Sequence, residues 1–221
     1  MNVKFRIGHR PDSSENLQAF HEHLMSTFSR VSALWDARFT NEVNLVLDGT
    51  DAAVDLTPAL RDGLRGAVHY GPRYIHHVED KAMFDDTLIL ELDTAQVEYR
   101  SFVESVFPVL IKEMKAYRGI AVLYKDLERD DHNAIVDLCG RTGRDENGRD
   151  GFFRLSTVNY AERELCRRAF SLTPEEIVKR VWGKVELAQV LSDGALIIYT
   201  FDLLSRDQFL RVDPELREML K

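Results

Sequence analysis

The chain has 221 residues, 44% of them hydrophobic and 30% charged, the composition of an ordinary soluble globular protein. Lys and Arg number 29 against 37 Asp and Glu, and the net charge of −8 has the wrong sign for a general nucleic-acid binder. No apolar run approaches the ~20 residues of a membrane span, and Met1–Ile7 lacks a signal peptide's apolar segment, so a cytoplasmic protein is expected, with its two cysteines, Cys139 and Cys166, as free thiols.

In chain order, Val3, Phe5 and Ile7 alternate with Lys4 and Arg6, a half-buried strand. A loop with Pro11 follows. Asp12 and Glu15 then make a capping box for a helix burying Leu17, Phe20, Leu24, Phe28, Val31 and Trp35. Asn44–Leu47 reads as a strand, ended by Asp48-Gly49. Thr57-Pro58 opens a short helix carrying Leu60, Leu64 and Val68, weakened by Gly63 and Gly66. The stretch 69–77 holds two Tyr, three His and one Arg; it is either a Gly-Pro turn packed down by its aromatics or a binding loop.

Thr87–Leu92 is apolar, β-branched in part, and bounded by Asp85-Asp86 before and Asp93-Thr94 after, which predicts a strand. Tyr99, Val103, Val106, Leu110, Met114 and Tyr117 then share one face of a helix over 95–117. Asp93 and Gln96 should cap it, Gly119 should close it and Pro108 should kink it. Ile120–Tyr124 is a further strand. Residues 125–151 are polar, with a short helix over Asn133–Cys139 and four glycines in 140–151 that predict a mobile loop. Phe152–Val158 alternates partly. Thr173-Pro-Glu-Glu176 is a strong helix start. Residues 185–191 and 195–201, joined by Ser192-Asp193-Gly194, form a hairpin, and 213–220 a short closing helix.

These elements predict an α+β fold: a mixed or antiparallel sheet with long amphipathic helices packed on one face, two β–long helix–β units and a C-terminal β-hairpin. One domain over 1–221 is expected, with a possible subdivision into 1–125 and 152–221 around the polar loop 126–151. Chemistry is sparse. His21 and His23 are two apart and diverge on a helix, as do the adjacent His76 and His77, so no metal site is expected. There is no nucleophile elbow, P-loop or dinucleotide fingerprint, and no cofactor is expected.

The opening strand Met1–Ile7, the Arg10-Pro-Asp12 loop before a long helix ending near Trp35, and the closing strand Asp193–Asp202 with its acidic tail resemble bacterial polymorphic-toxin immunity proteins, in particular those called immunity protein 52. The resemblance implies a non-catalytic inhibitor that binds a cognate toxin of the nuclease kind. A nuclease presents a basic cleft, and an acidic inhibitor is steered to it. Candidate partner-binding residues are Tyr70, Arg73, Tyr74, His76 and His77 of the aromatic loop, and Glu128, Asp130 and Asp131 of the acidic stretch. The alternative is a small-molecule enzyme with the His/Tyr/Arg loop 69–77 as its site.

Overall fold

The computed structural model of the chain describes residues 1–36, 52–73 and 84–221. The strand read at Asn44–Leu47 lies outside the described residues, as do Tyr74, His76 and His77. The fold is α+β, every described strand pairing is antiparallel, and the chain divides into two compact units, Met1–Ala116 and Tyr117–Lys221.

In the first unit, β1 (Asn2–His9), β2 (Ala52–Asp55), β3 (Leu64–Tyr70) and β4 (Asp86–Asp93) pair in the order β2-β3-β4-β1. Alternation decides which face is covered. Val3, Phe5 and Ile7 of β1 and Leu88, Leu90 and Leu92 of β4 point inward and are almost wholly buried. Helix α1 (Leu17–Phe28) adds Phe20, Leu24 and Phe28 to this core. Its cap is Asn16, whose side chain accepts from Ala19 N at 2.9 Å; Asp12 instead holds a turn through Ser14. The helix is shorter than its apolar spacing suggested. A succession of tight turns after Phe28 still delivers Leu34 and Trp35 to the core.

Two further expectations are corrected in this unit. The stretch after Thr57-Pro58 is a single 3₁₀ turn, Thr57–Ala59, and Leu64–Tyr70 is strand, not helix. Gly66 explains why: a Cβ there would stand 2.6 Å from the Ile89 carbonyl oxygen, so the residue serves close strand approach. The expected 95–117 helix is α2, which runs over Tyr99–Ser101, a π-turn stretch Phe102–Val106 and Phe107–Glu113. Glu98 caps it, while Asp93 and Gln96 bond to each other one turn earlier. Pro108 lacks an N–H, and the widened π-turns immediately before it absorb that loss. Lys115, at φ +45°, ends the run, so Tyr117 and Gly119 belong to the next strand.

In the second unit, β5 (Ala116–Val122), β6 (Val158–Glu162), β7 (Leu187–Leu191) and β8 (Gly194–Ile198) pair in the order β5-β6-β8-β7. Helix α3 (Lys125–Thr142) replaces most of the expected polar loop. It buries only Leu127, which is why its apolar signal was faint, and Gly143 at φ +68° closes it. The glycine-rich turn beyond is tied down by side chains. Asn147 Oδ1 accepts from Arg118 Nη2 at 2.7 Å, and Asp150 Oδ2 accepts from Asp145 N at 2.8 Å.

Only Val158 of the stretch Phe152–Val158 is strand, the first residue of β6; before it, the side chains of Asp213 and Asn159 take the backbone N–H groups of Leu155 and Ser156. Helix α4 (Arg163–Phe170) has no counterpart in the sequence reading. Helix α5 (Pro174–Val181) begins as expected, with Thr173 and Glu176 in a reciprocal capping box and Pro174 at the first position. The hairpin also forms, but Ser192 takes the positive φ, +53°. Gly194 is needed for space: a Cβ would meet the Ala161 carbonyl oxygen at 2.4 Å. Helix α6 (Arg206–Leu220) starts seven residues before the expected one, capped by Ser205 with Gln208. Leu165, Ile177, Val181, Ile197, Val212 and Leu216 meet in this unit's core.

Cys166 lies in that core, its thiol donating to the Ala161 carbonyl at 3.3 Å, and burial pushes its pKa up to about 12. Cys139, on the sparsely packed α3, is partly exposed. Alkylation of the native protein near pH 8 should therefore mark Cys139 and spare Cys166 until denaturant is added, as peptide mass spectrometry would report.

Candidate functional site

The inward alternation of β1 does not stop at Ile7; one step further it buries His9. That of β4 begins one step earlier, at Asp86. The register sets these two residues directly opposite each other, so an antiparallel pair with an apolar interior ends in a buried polar couple. His9 Nε2 and Asp86 Oδ2 are 4.0 Å apart.

Three side chains close around them. Arg73, just past the end of β3, forks onto Asp86, with Nη1 donating to Oδ1 at 2.8 Å and Nη2 to Oδ2 at 2.6 Å. Gly71 N donates to the same Oδ1 at 2.9 Å. Glu15, from the turn before α1, accepts from Arg73 Nη2 at 3.3 Å and Lys115 Nζ at 3.5 Å, and faces His9 Nε2 at 3.1 Å. The His9 ring lies 4.7 Å from that of Phe20, over which Lys115 also sits. Beside the cluster, the Tyr70 hydroxyl meets His21 Nδ1 at 2.8 Å.

The electrostatics follow from burial and these partners. The Asp86 side chain has no solvent exposure; burial pushes its pKa up, against the pull of the Arg73 fork. Burial also acts to raise Glu15, but the hydrogen bond with His9 and the charges of His9, Arg73 and Lys115 outweigh it and hold that carboxyl below its ordinary value. The Tyr70 phenol is pushed up, chiefly by burial and then by Asp86, and stays a neutral donor. Both ring nitrogens of His9 face oxygens, Nδ1 toward the Lys115 carbonyl at 3.3 Å and Nε2 toward Glu15. A neutral imidazole has one N–H and can donate to only one of these two oxygens.

Glu15 sets a pH dependence. Its folded pKa lies below its ordinary 4.5, so it adds stability that is complete above that value and lost as the pH falls through the lower folded value. The urea midpoint of the wild type should therefore exceed that of Glu15→Gln at neutral pH, and the gap should narrow as the pH is taken below 4.5.

Of the residues singled out from sequence, Tyr70 and Arg73 meet at this cluster. Tyr70 is 1% exposed, its ring inside the unit and not on a surface. Glu128, Asp130 and Asp131 lie on α3 in the second unit. Asp130 is exposed, Glu128 half-buried, and Asp131 is held by Arg154 through two bonds of 2.7 Å. His9, Glu15, Asp86 and Lys115 were not foreseen. The ligand atoms of His9, Glu15 and Asp86 all lie within 4.8 Å of one another, the one grouping of metal-ligating type among the described residues.

Elsewhere in the first unit, Asp36, Arg61, Asp62, Gln96 and Glu98 line an open cleft of about 610 Å³ with Phe102 at its edge. Arg61 donates to the Ser32 carbonyl at 2.9 Å. No described helix is long and apolar enough to cross a membrane. No family model matches the chain, and no curated protein does.

Proposed function

We propose that this chain is a non-catalytic binding protein of the immunity class, a cytoplasmic inhibitor that occupies and blocks a basic bacterial toxin, such as a nuclease. The observation that carries this reading is where the negative charge lies. Residues 1–116 hold 18 acidic side chains against 12 basic ones, while 117–221 hold 19 against 17, so six of the eight net charges belong to the first unit. That unit also holds the cleft where three carboxylates face one arginine. A concave acidic surface concentrates field lines and draws a basic partner in.

The non-catalytic part of the reading is supported by the His9 cluster. Its ionisable side chains are taken up in bonds with one another, and His9, Glu15, Asp86 and Arg73 are each at most 14% exposed, leaving little room for a substrate.

The test is functional. The tagged chain is isolated from its own cells, its stoichiometric partner is identified, and that partner is expressed with and without the chain. A basic partner whose toxicity disappears on co-expression is expected, with affinity falling steeply with salt and at least about tenfold for Asp62→Lys. A partner that stays toxic in the presence of the chain ends the proposal.

A further inference from the structure

We infer that His9, Glu15 and Asp86 form a binding site for a first-row divalent metal ion of the zinc class, in which the ion takes the position held by the Arg73 guanidinium. This does not rest on the immunity reading, since the site is internal to one unit and serves as a clasp between elements. His9 ends β1, Glu15 precedes α1 and Asp86 opens β4. One ion would join three elements.

The donor set and its setting both point to a metal. A neutral imidazole with two buried carboxylates suits zinc-class ions, being harder than a thiolate set and softer than an all-oxygen one. His9 is pre-oriented as metal-bound histidines are, its Nδ1 on the Lys115 carbonyl and its Nε2 turned toward the carboxylates. Asp86 is oriented in the same way, with Gly71 N on Oδ1 and Oδ2 turned toward His9. Metal bonds of about 2.0–2.2 Å place ligand atoms about 3.3–3.6 Å apart in a tetrahedron. His9 Nε2 and Glu15 Oε2 stand at 3.1 Å, and His9 Nε2 and Asp86 Oδ2 need to close from 4.0 Å.

The spot already selects a cation. Arg73 Nη2 sits 2.6 Å from Asp86 Oδ2 and 3.3 Å from Glu15 Oε2, touching the two oxygens an ion would bind. Its hold is incomplete, because the buried Nε meets no acceptor among the described residues and the side chain is already 14% exposed. Arginine and metal are therefore competitors. Both cannot sit there, because two positive groups within about 4 Å repel strongly away from bulk water. Binding requires Arg73 to swing outward as the ion enters.

Competition gives the site its signature. The full-length chain, stripped with a chelator, is titrated with Co²⁺ and followed by visible absorbance, then back-titrated with Zn²⁺. One equivalent should give d–d bands that zinc erases, and one equivalent of zinc should raise Tm. His9→Gln and Glu15→Gln should each weaken binding by at least about tenfold. Arg73→Gln should tighten it by at least about tenfold, the reverse of what a merely structural arginine would give. Absence of a saturating equivalent, His9→Gln binding as the wild type through surface histidines, or Arg73→Gln binding no tighter would each overturn the inference. Should Arg73→Gln fail to fold, the His9→Gln comparison decides.

Discussion

Replacing Asp86 by Asn should destabilise the protein by about 3–5 kcal/mol, read as a fall in urea midpoint with chelator present so that no added cation stands in. The substitution keeps the shape and removes the charge. No cavity opens, so the loss comes from electrostatics alone. Arg73 would be left with its guanidinium mostly buried and only Glu15, at 3.3 Å, opposite it. Taking away one partner of a buried pair costs more than the pair itself was worth, because the remaining charge stays desolvated. The double variant Asp86→Asn with Arg73→Met should therefore recover much of the loss, and that non-additivity separates a stranded charge from a general weakening of β4. Lys115→Met gives the contrast. Lys115 is 66% exposed and its contact with Glu15 is long, so its removal should cost no more than about 1 kcal/mol. A loss below about 1 kcal/mol for Asp86→Asn would mean that water reaches the cluster.

The same residues show how far the sequence could be read. Period-two alternation identified β1 and β4, because a strand with one covered face writes its burial directly into its residue types. The hydrophobic alternation gives out at Ile7 and at Thr87. Carried one step past the apolar run, the same rule puts His9 and Asp86 inward, and antiparallel register sets them opposite each other. The signal for the site is therefore present in the sequence, one strand step beyond the point where hydrophobicity ends. Glu15 and Lys115 offered no comparable signal. Their place depends on where the chain turns before α1 and after α2, and Lys115 acts partly through its backbone carbonyl, which no side-chain pattern reports.

Helices were legible in proportion to what they bury. The capping box at Thr173 and Glu176 is a local device, so α5 was placed correctly. Helix α3 buries one residue, and its polar exposed side resembles a loop. Leu64, Val68 and Tyr70 could be spaced for a helix or a strand, and only the close approach of Gly66 to β4 decides it. The π-turns in α2 follow from Pro108, but Phe5 fixes where that helix must lie.

Phe5→Ala should accordingly cost about 3–5 kcal/mol and lower Tm by about 10 °C. The Phe5 side chain is wholly buried at the centre of β1. Its ring stands 4.9 Å from that of Phe102, 5.6 Å from Phe107 and 6.3 Å from Tyr99, so it meets every segment of α2. Truncation loses the transfer energy of the ring, leaves a cavity, and removes aromatic contacts worth more than their area alone. The cavity term decides the magnitude, because α2 is pinned on one side by the π-turns at Phe102–Val106 and on the other by the turn at Lys115, and cannot simply settle inward. Phe5→Leu should restore more than half of the loss, since volume matters more than aromaticity here. Val136→Ala, at a residue 55% exposed on α3, should stay within about 0.5 kcal/mol of the wild type. If Phe5→Ala proved equally mild, α2 would have to be free to collapse onto β1, and the aromatic contact between them would not be what holds the helix to the sheet.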